Sequence, residues 1–150
     1  MLSTSRFEHA IGYEEDFALW AEEQAELLTQ GNFPALDIVN LVDEIQDMSR
    51  RYHHSLEHRL TVLQTHLLKC LIQPDHKSAH WSATLLEQRK RIGRLLRESP
   101  SLKPHVAEYV ADNHALAVKH AAADTHLPSS RFPPANPFTI EQILDPDYEP

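Results

Sequence analysis

The chain has a single cysteine, three glycines, and no proline between Ala35 and Gln73. One cysteine, Cys70, excludes an internal disulfide and a cysteine-based zinc cluster. Three scattered glycines leave no Gly-rich loop to cradle a phosphate. No stretch approaches the roughly 18 apolar residues that a membrane span requires. The first residues lack a basic region followed by an apolar run, so no signal peptide is expected. Positive charge is also scarce. Fourteen Lys and Arg face 22 Asp and Glu, giving a net charge of −8 and a pI near 5.7. General nucleic-acid binding favours the opposite sign. Together these absences point to a cytoplasmic protein with no membrane partner and no nucleic-acid partner.

What is present is apolar spacing. At 150 residues and 41% hydrophobic content, the chain is long enough for one domain with a real core. Between Ile38 and Ile72 apolar or small residues recur at Ile38, Val42, Ile45, Ser49, Tyr52, Leu56, Leu60, Leu63, Leu67 and Leu71. This spacing predicts one helix of roughly ten turns. Its mean period implies a nearly straight rod, with a break conceivable near Arg50 to His54. From Thr61 to Ile72 the apolar character spreads around the helix, so this half is expected at the centre of a bundle or under a partner.

Further helices are expected over 13–30, 78–97 and 102–124. The first has Glu14, Glu15 and Asp16 in its opening turn, where the helix dipole favours acids. The third has Trp81, Leu85, Gln88, Ile92 and Leu95 inward. The fourth has Leu102, Val106, Tyr109, Val110, Leu116 and Ala117 inward. Residues 1–12 read as a loose arm. The Pro-rich tail 127–150 is too apolar to be free, and Thr139-Ile140-Glu141-Gln142 is a capping-box pattern opening a short helix. The expected fold is therefore all-α: a bundle of about four helices built on one long helix, with the tail packed on it. Residues 13–150 form a single domain in this reading.

Arg59 and His66 fall within the apolar arc of the long helix, seven residues apart. A buried arginine calls for a carboxylate, and Asp16, Glu87 and the tail acids are candidates. One reading is a structural polar network. The other is a small polar site with His66 as acid, base or ligand. Asp43, Glu44 and Asp47 have the oxygens that divalent metals prefer. Glu44 and His66, however, are about 33 Å apart on a straight helix. The acidic group is expected instead to pair with the basic run Arg89, Lys90, Arg91, Arg94 and Arg97. His54-Ser55-Leu56-Glu57-His58 matches the H-x-x-E-H pattern but points away from the apolar stripe and lacks a third ligand. No metal or cofactor is assigned.

Several strings coincide in order and spacing. They are Tyr13-Glu14-Glu15-Asp16-Phe17 with Trp20, Asn40-Leu41-Val42-Asp43-Glu44-Ile45, His66-Leu67-Leu68-Lys69 before Gln73-Pro74, Trp81 with Thr84, and Glu87-Gln88-Arg89. Ser99-Pro100-Ser101-Leu102 and the ending from Pro137-Phe138-Thr139 to Leu144-Asp145-Pro146 complete the set. This set resembles the bacterial domain-of-unknown-function family 29 from Tyr13 to the end. The resemblance implies an all-helical single domain without an established activity. Carried over by position, the site candidates are His66, Arg59, Asp16, Glu44 and Arg89, with Trp20 and Trp81 as packing anchors. Cys70 departs from the aromatic residue usual at that place. The leading expectation is a protein-interaction or regulatory module, antitoxin-like or adaptor, acting on a protein partner or a second copy. The absence of a catalytic set argues against an enzyme. The alternative is a small enzyme or ligand-binding domain around Arg59 and His66.

Overall fold

The computed structural model describes residues 11–150, all α-helix, 3-10 turns and loops, with no strand among them. Most of the N-terminal arm expected over 1–12 lies outside the described residues. Among the described residues six α-helices follow one another: α1 (Phe17–Gln30), α2 (Ile38–Ile72), α3 (Ala79–Glu98), α4 (His105–Asp112), α5 (His114–Thr125) and α6 (Ile140–Leu144). The chain divides into two compact units, Met1–Ser49 and Arg50–Pro150. Helix α2 runs through both without interruption, so no break occurs at Arg50 to His54.

The first unit opens later than its periodicity suggests. Tyr13 to Glu15 form a turn, and α1 starts only after Asp16, whose carboxylate accepts the Leu19 amide at 3.0 Å. That bond satisfies one of the amides left over at a helix start, so Asp16 is the cap rather than a first-turn acid. Gly31 ends α1 at φ 71°, a left-handed conformation that costs glycine little. Asp37 then caps α2. Its side chain accepts from the Asn40 amide at 3.4 Å and from the Asn40 side chain at 2.8 Å.

The second unit holds the hydrophobic core. Leu56, Leu60, Leu63 and Leu67 are fully buried on α2, and Leu85 and Ile92 reach them from α3. Each buried leucine contributes about 1.5–3 kcal/mol relative to exposure. The expected fourth helix is two helices, broken at Asn113, whose side-chain amide donates to the Tyr109 carbonyl and to Glu57. Ala117 rather than Leu116 turns inward, because it continues the spacing of Val110, His114 and Ala121. Thus the apolar half of α2 is covered by α3, α4, α5 and the tail of its own chain. The tail is packed there through Phe132, Phe138 and Ile143, and Thr139 and Gln142 form the reciprocal capping box at the start of α6.

Candidate interaction face

The five sequence-derived candidates are distributed over both units. In the first unit, Asp16 is a helix cap, and Glu44 accepts a very short hydrogen bond from the Tyr13 hydroxyl. This bond to Glu44, helped by partial burial and neighbouring acids, pushes the Tyr13 phenol up to about 12. In the second unit, Arg59 donates from Nη1 to the Gln88 side-chain carbonyl at 3.3 Å. No carboxylate is within ion-pair distance of it among the described residues. Burial pushes its guanidinium below the ordinary value, and Arg91 nearby acts in the same direction. His66 is half-buried with Nδ1 2.9 Å from the Val62 carbonyl of its own helix. Desolvation lowers its pKa.

Among the described residues, Arg89 is the arginine that is buried, at 6% exposure. It donates from Nε to the Ile143 carbonyl at 2.8 Å and from Nη2 to the Gln142 carbonyl at 3.1 Å. It therefore satisfies the last carbonyls of α6. Arg59, His66 and Arg89 thus have three different partners and do not form one polar network. The signal for Arg89 was available: it sits four residues after Leu85 and three before Ile92, on the inward face. Glu57 of the H-x-x-E-H pattern accepts from Asn113 at 3.0 Å, and His54 and His58 are exposed. Among the described residues, no group of three His, Cys, Asp or Glu side chains is arranged to hold a metal ion. Cys70 is buried, and burial pushes its thiol up.

Glu44 takes Tyr13, while Arg91 pairs with Glu87 and Arg94 with Glu98 one turn away on α3 itself.

The first unit also inverts the usual distribution of side chains. Among the described residues, its buried ones are Trp20, Glu23 and Gln24. Their seam is polar: Trp20 Nε1 donates to Asp37 at 3.0 Å, and the Gln24 side-chain oxygen accepts the Asp37 amide at 2.8 Å. Glu23 accepts the Ile11 amide at 3.0 Å. Meanwhile Ile38, Val39, Val42, Ile45 and Met48 face outward on α2, with Val39 at 74% and Ile45 at 64% exposure. Ile38, Val42 and Ile45 fall within about 60° of one another around the helix, flanked by Val39 and Met48. Among the described residues, nine of the thirteen exposed large hydrophobic ones belong to this unit. Scattered exposed leucines are ordinary, whereas these exposed side chains are grouped on one stretch of α2.

Charge is segregated in the same place. From Ile11 to Ser49 there are ten Asp and Glu, and no Lys, Arg or His. The signal is present in the sequence, where the segment without cations coincides with the first part of the α2 stripe.

The fold defines an all-helical protein with no helix long and apolar enough to cross a membrane among the described residues. The chain belongs to the family described as domain of unknown function DUF29, whose model matches residues 12–149. No curated protein and no solved structure matches it.

Proposed function

We propose that the chain is a protein-interaction module, of the adaptor or regulatory kind, whose binding face is the outward apolar stripe on the first part of α2. The observation that carries this reading is the row Ile38, Val39, Val42, Ile45 and Met48, exposed within a segment of ten carboxylates and no cation. A helical hairpin of this size with a single buried large hydrophobe among its described residues, Trp20, gains little stability from its own packing. Covering the stripe supplies the missing burial.

The chemistry of the partner follows from charge. A second copy meeting this face with its own would bring two acidic segments together, which opposes association. A segment with an apolar stripe flanked by Lys or Arg matches both properties at once. The partner is therefore a basic amphipathic helix of another protein, laid against α2 through its apolar anchors.

Two synthetic helical peptides with the same leucine stripe, one flanked by lysines and one by glutamates, test this with the full chain. The lysine peptide is expected to bind, more weakly at high salt, and Ile45→Asp or Val42→Asp to weaken it by at least about tenfold. Equal binding of both peptides, or indifference to both substitutions, overturns the reading. So does a stable homodimer in light scattering that Ile45→Asp dissociates, because the face is then taken by a second copy.

A further inference from the structure

A second surface lies wholly within the Arg50–Pro150 unit and has the opposite sign. A recess of about 470 Å³ opens between α2 and α3, within the volume range of small-ligand sites. Its cationic lining is Arg59 from α2 and Lys90, Arg91, Arg94 and Arg97 from α3, with Ser55 one turn before Arg59. The α3 cations converge because Lys90, Arg94 and Arg97 fall at i, i+4 and i+7, one face of the helix. Two carboxylates also line it, and each is taken: Glu87 by Arg91, and Glu98 by Arg94 at 2.8 Å.

Three cations are left in surplus. Among the described residues, Arg59, Lys90 and Arg97 have no carboxylate within ion-pair distance. Arg59 is half-buried and held in place by Gln88, so its charge is both oriented and poorly hydrated. The Arg97 guanidinium lies back over Gly93, the one glycine inside a helix, and a Cβ there would meet Arg97 Nη1 at 3.3 Å. A chain with net charge −8 thus keeps a concave site whose neighbours are net positive. Clefts of one sign raise the local concentration of the opposite ion.

We propose that this recess binds a small anion bearing two or more phosphoryl groups, with Arg59, Lys90 and Arg97 as its principal contacts. Guanidinium forks match phosphoryl oxygens bidentately, and the lysine adds a point charge. Multiple charges on the ligand answer the three surplus cations. A single-stranded nucleic acid is the poorer fit, because no aromatic side chain lines the recess to stack a base. The site shares no residue with the apolar face of α2, so the two readings stand or fall separately.

Calorimetric titration of the full chain with inorganic tripolyphosphate, and in parallel with a nucleoside triphosphate, tests the proposal. One site per chain is expected, with affinity falling as salt rises. Lys90→Gln and Arg97→Gln, both exposed and without structural partners, are each expected to weaken binding by about tenfold. Lys103→Gln removes the same charge from an exposed position outside the recess and is expected to leave binding unchanged. Equal affinity for the two probes assigns recognition to the oligophosphate alone, and tighter nucleotide binding adds a contact to the nucleoside. Both support the site. No binding of either probe overturns it, as does equal weakening by Lys103→Gln, or binding of single-stranded oligonucleotide alone.

Discussion

The Arg89 guanidinium donates 2.8 Å to the backbone carbonyl of Ile143, across 54 positions of sequence. With its second bond to Gln142, it holds the C-terminal helix to α3 through main-chain atoms. A second tie lies nearby in sequence, where Lys77 pairs with Glu149. The tail is thus fixed by polar bonds as well as by its aromatic residues.

Replacing Arg89 should therefore release the tail. Arg89→Met removes two charge-assisted bonds and leaves two carbonyls unsatisfied, a loss of about 2–4 kcal/mol. Arg89→Lys recovers only part of this, because an ammonium cannot span both carbonyls as the planar fork does. Urea denaturation measures the loss. Limited proteolysis should show cleavage after 127 becoming faster in Arg89→Met than in the parent protein.

The two halves of α2 should respond oppositely to the same kind of truncation. Leu63→Ala empties a fully buried position and is expected to cost about 3 kcal/mol or more. Ile45→Ala, on the same helix stripe but 64% exposed, is expected to change stability by less than about 0.5 kcal/mol. Thermal denaturation of the pair checks this. Similar losses at both positions would show that the first half of the stripe is packed.

Acidification should weaken the fold through His66. Burial holds its folded pKa below the ordinary 6.5, with Lys69 and His80 acting in the same direction, and the Val62 carbonyl and Asp124 opposing. Below 6.5 the unfolded chain takes up the proton more readily than the folded one. The stabilising contribution of the neutral imidazole is complete above that value and is lost as pH falls through it toward the folded pKa. His66→Gln should flatten the decline in urea midpoint between about pH 7.5 and about pH 5. An unchanged slope would assign the decline to other groups.

His126 caps the C-terminus of α5, just after Thr125, at φ 56°, the only non-glycine with positive φ among the described residues. An L side chain is strained there and glycine is not. His126 is exposed, so little packing opposes the exchange. His126→Gly is expected to stabilise the protein by about 1 kcal/mol, read as a higher melting temperature. A loss of stability would mean that the imidazole makes a contact worth more than the strain.

Much of this architecture was legible because helices write themselves in periodicity. The long helix was placed from Ile38 to Ile72, and α3 within one residue at each end, since Ser78 and Gln73-Pro74 are strong punctuation. The break at Asn113 was not legible. It depends on an amide that reaches both Tyr109 and Glu57, the latter 56 positions away. The site was harder. Periodicity says that a face is apolar and not what covers it, so Ile45 and Leu63 look alike in sequence while one is exposed and the other buried. Arg89 stands in a basic run expected to pair with acids, and only its register between Leu85 and Ile92 marks it as buried. Arg59 was located on a half-buried face, but its partner is a neutral amide from Gln88 instead of the carboxylate that charge balance suggested.

Continuity of α2 has a kinetic and energetic consequence for the stripe at Ile38 to Met48. Starting a helix is the unfavourable step, since several residues are fixed before the first bond forms, whereas each later residue adds a bond as it joins. In this chain the leucines at 56, 60, 63 and 67 secure that nucleus within the core. The exposed segment then needs only propagation, one turn after another, from a template that is already ordered. A partner of the proposed kind would meet a ready-wound surface and need not supply the ordering itself, which favours fast and reversible capture over coupled folding.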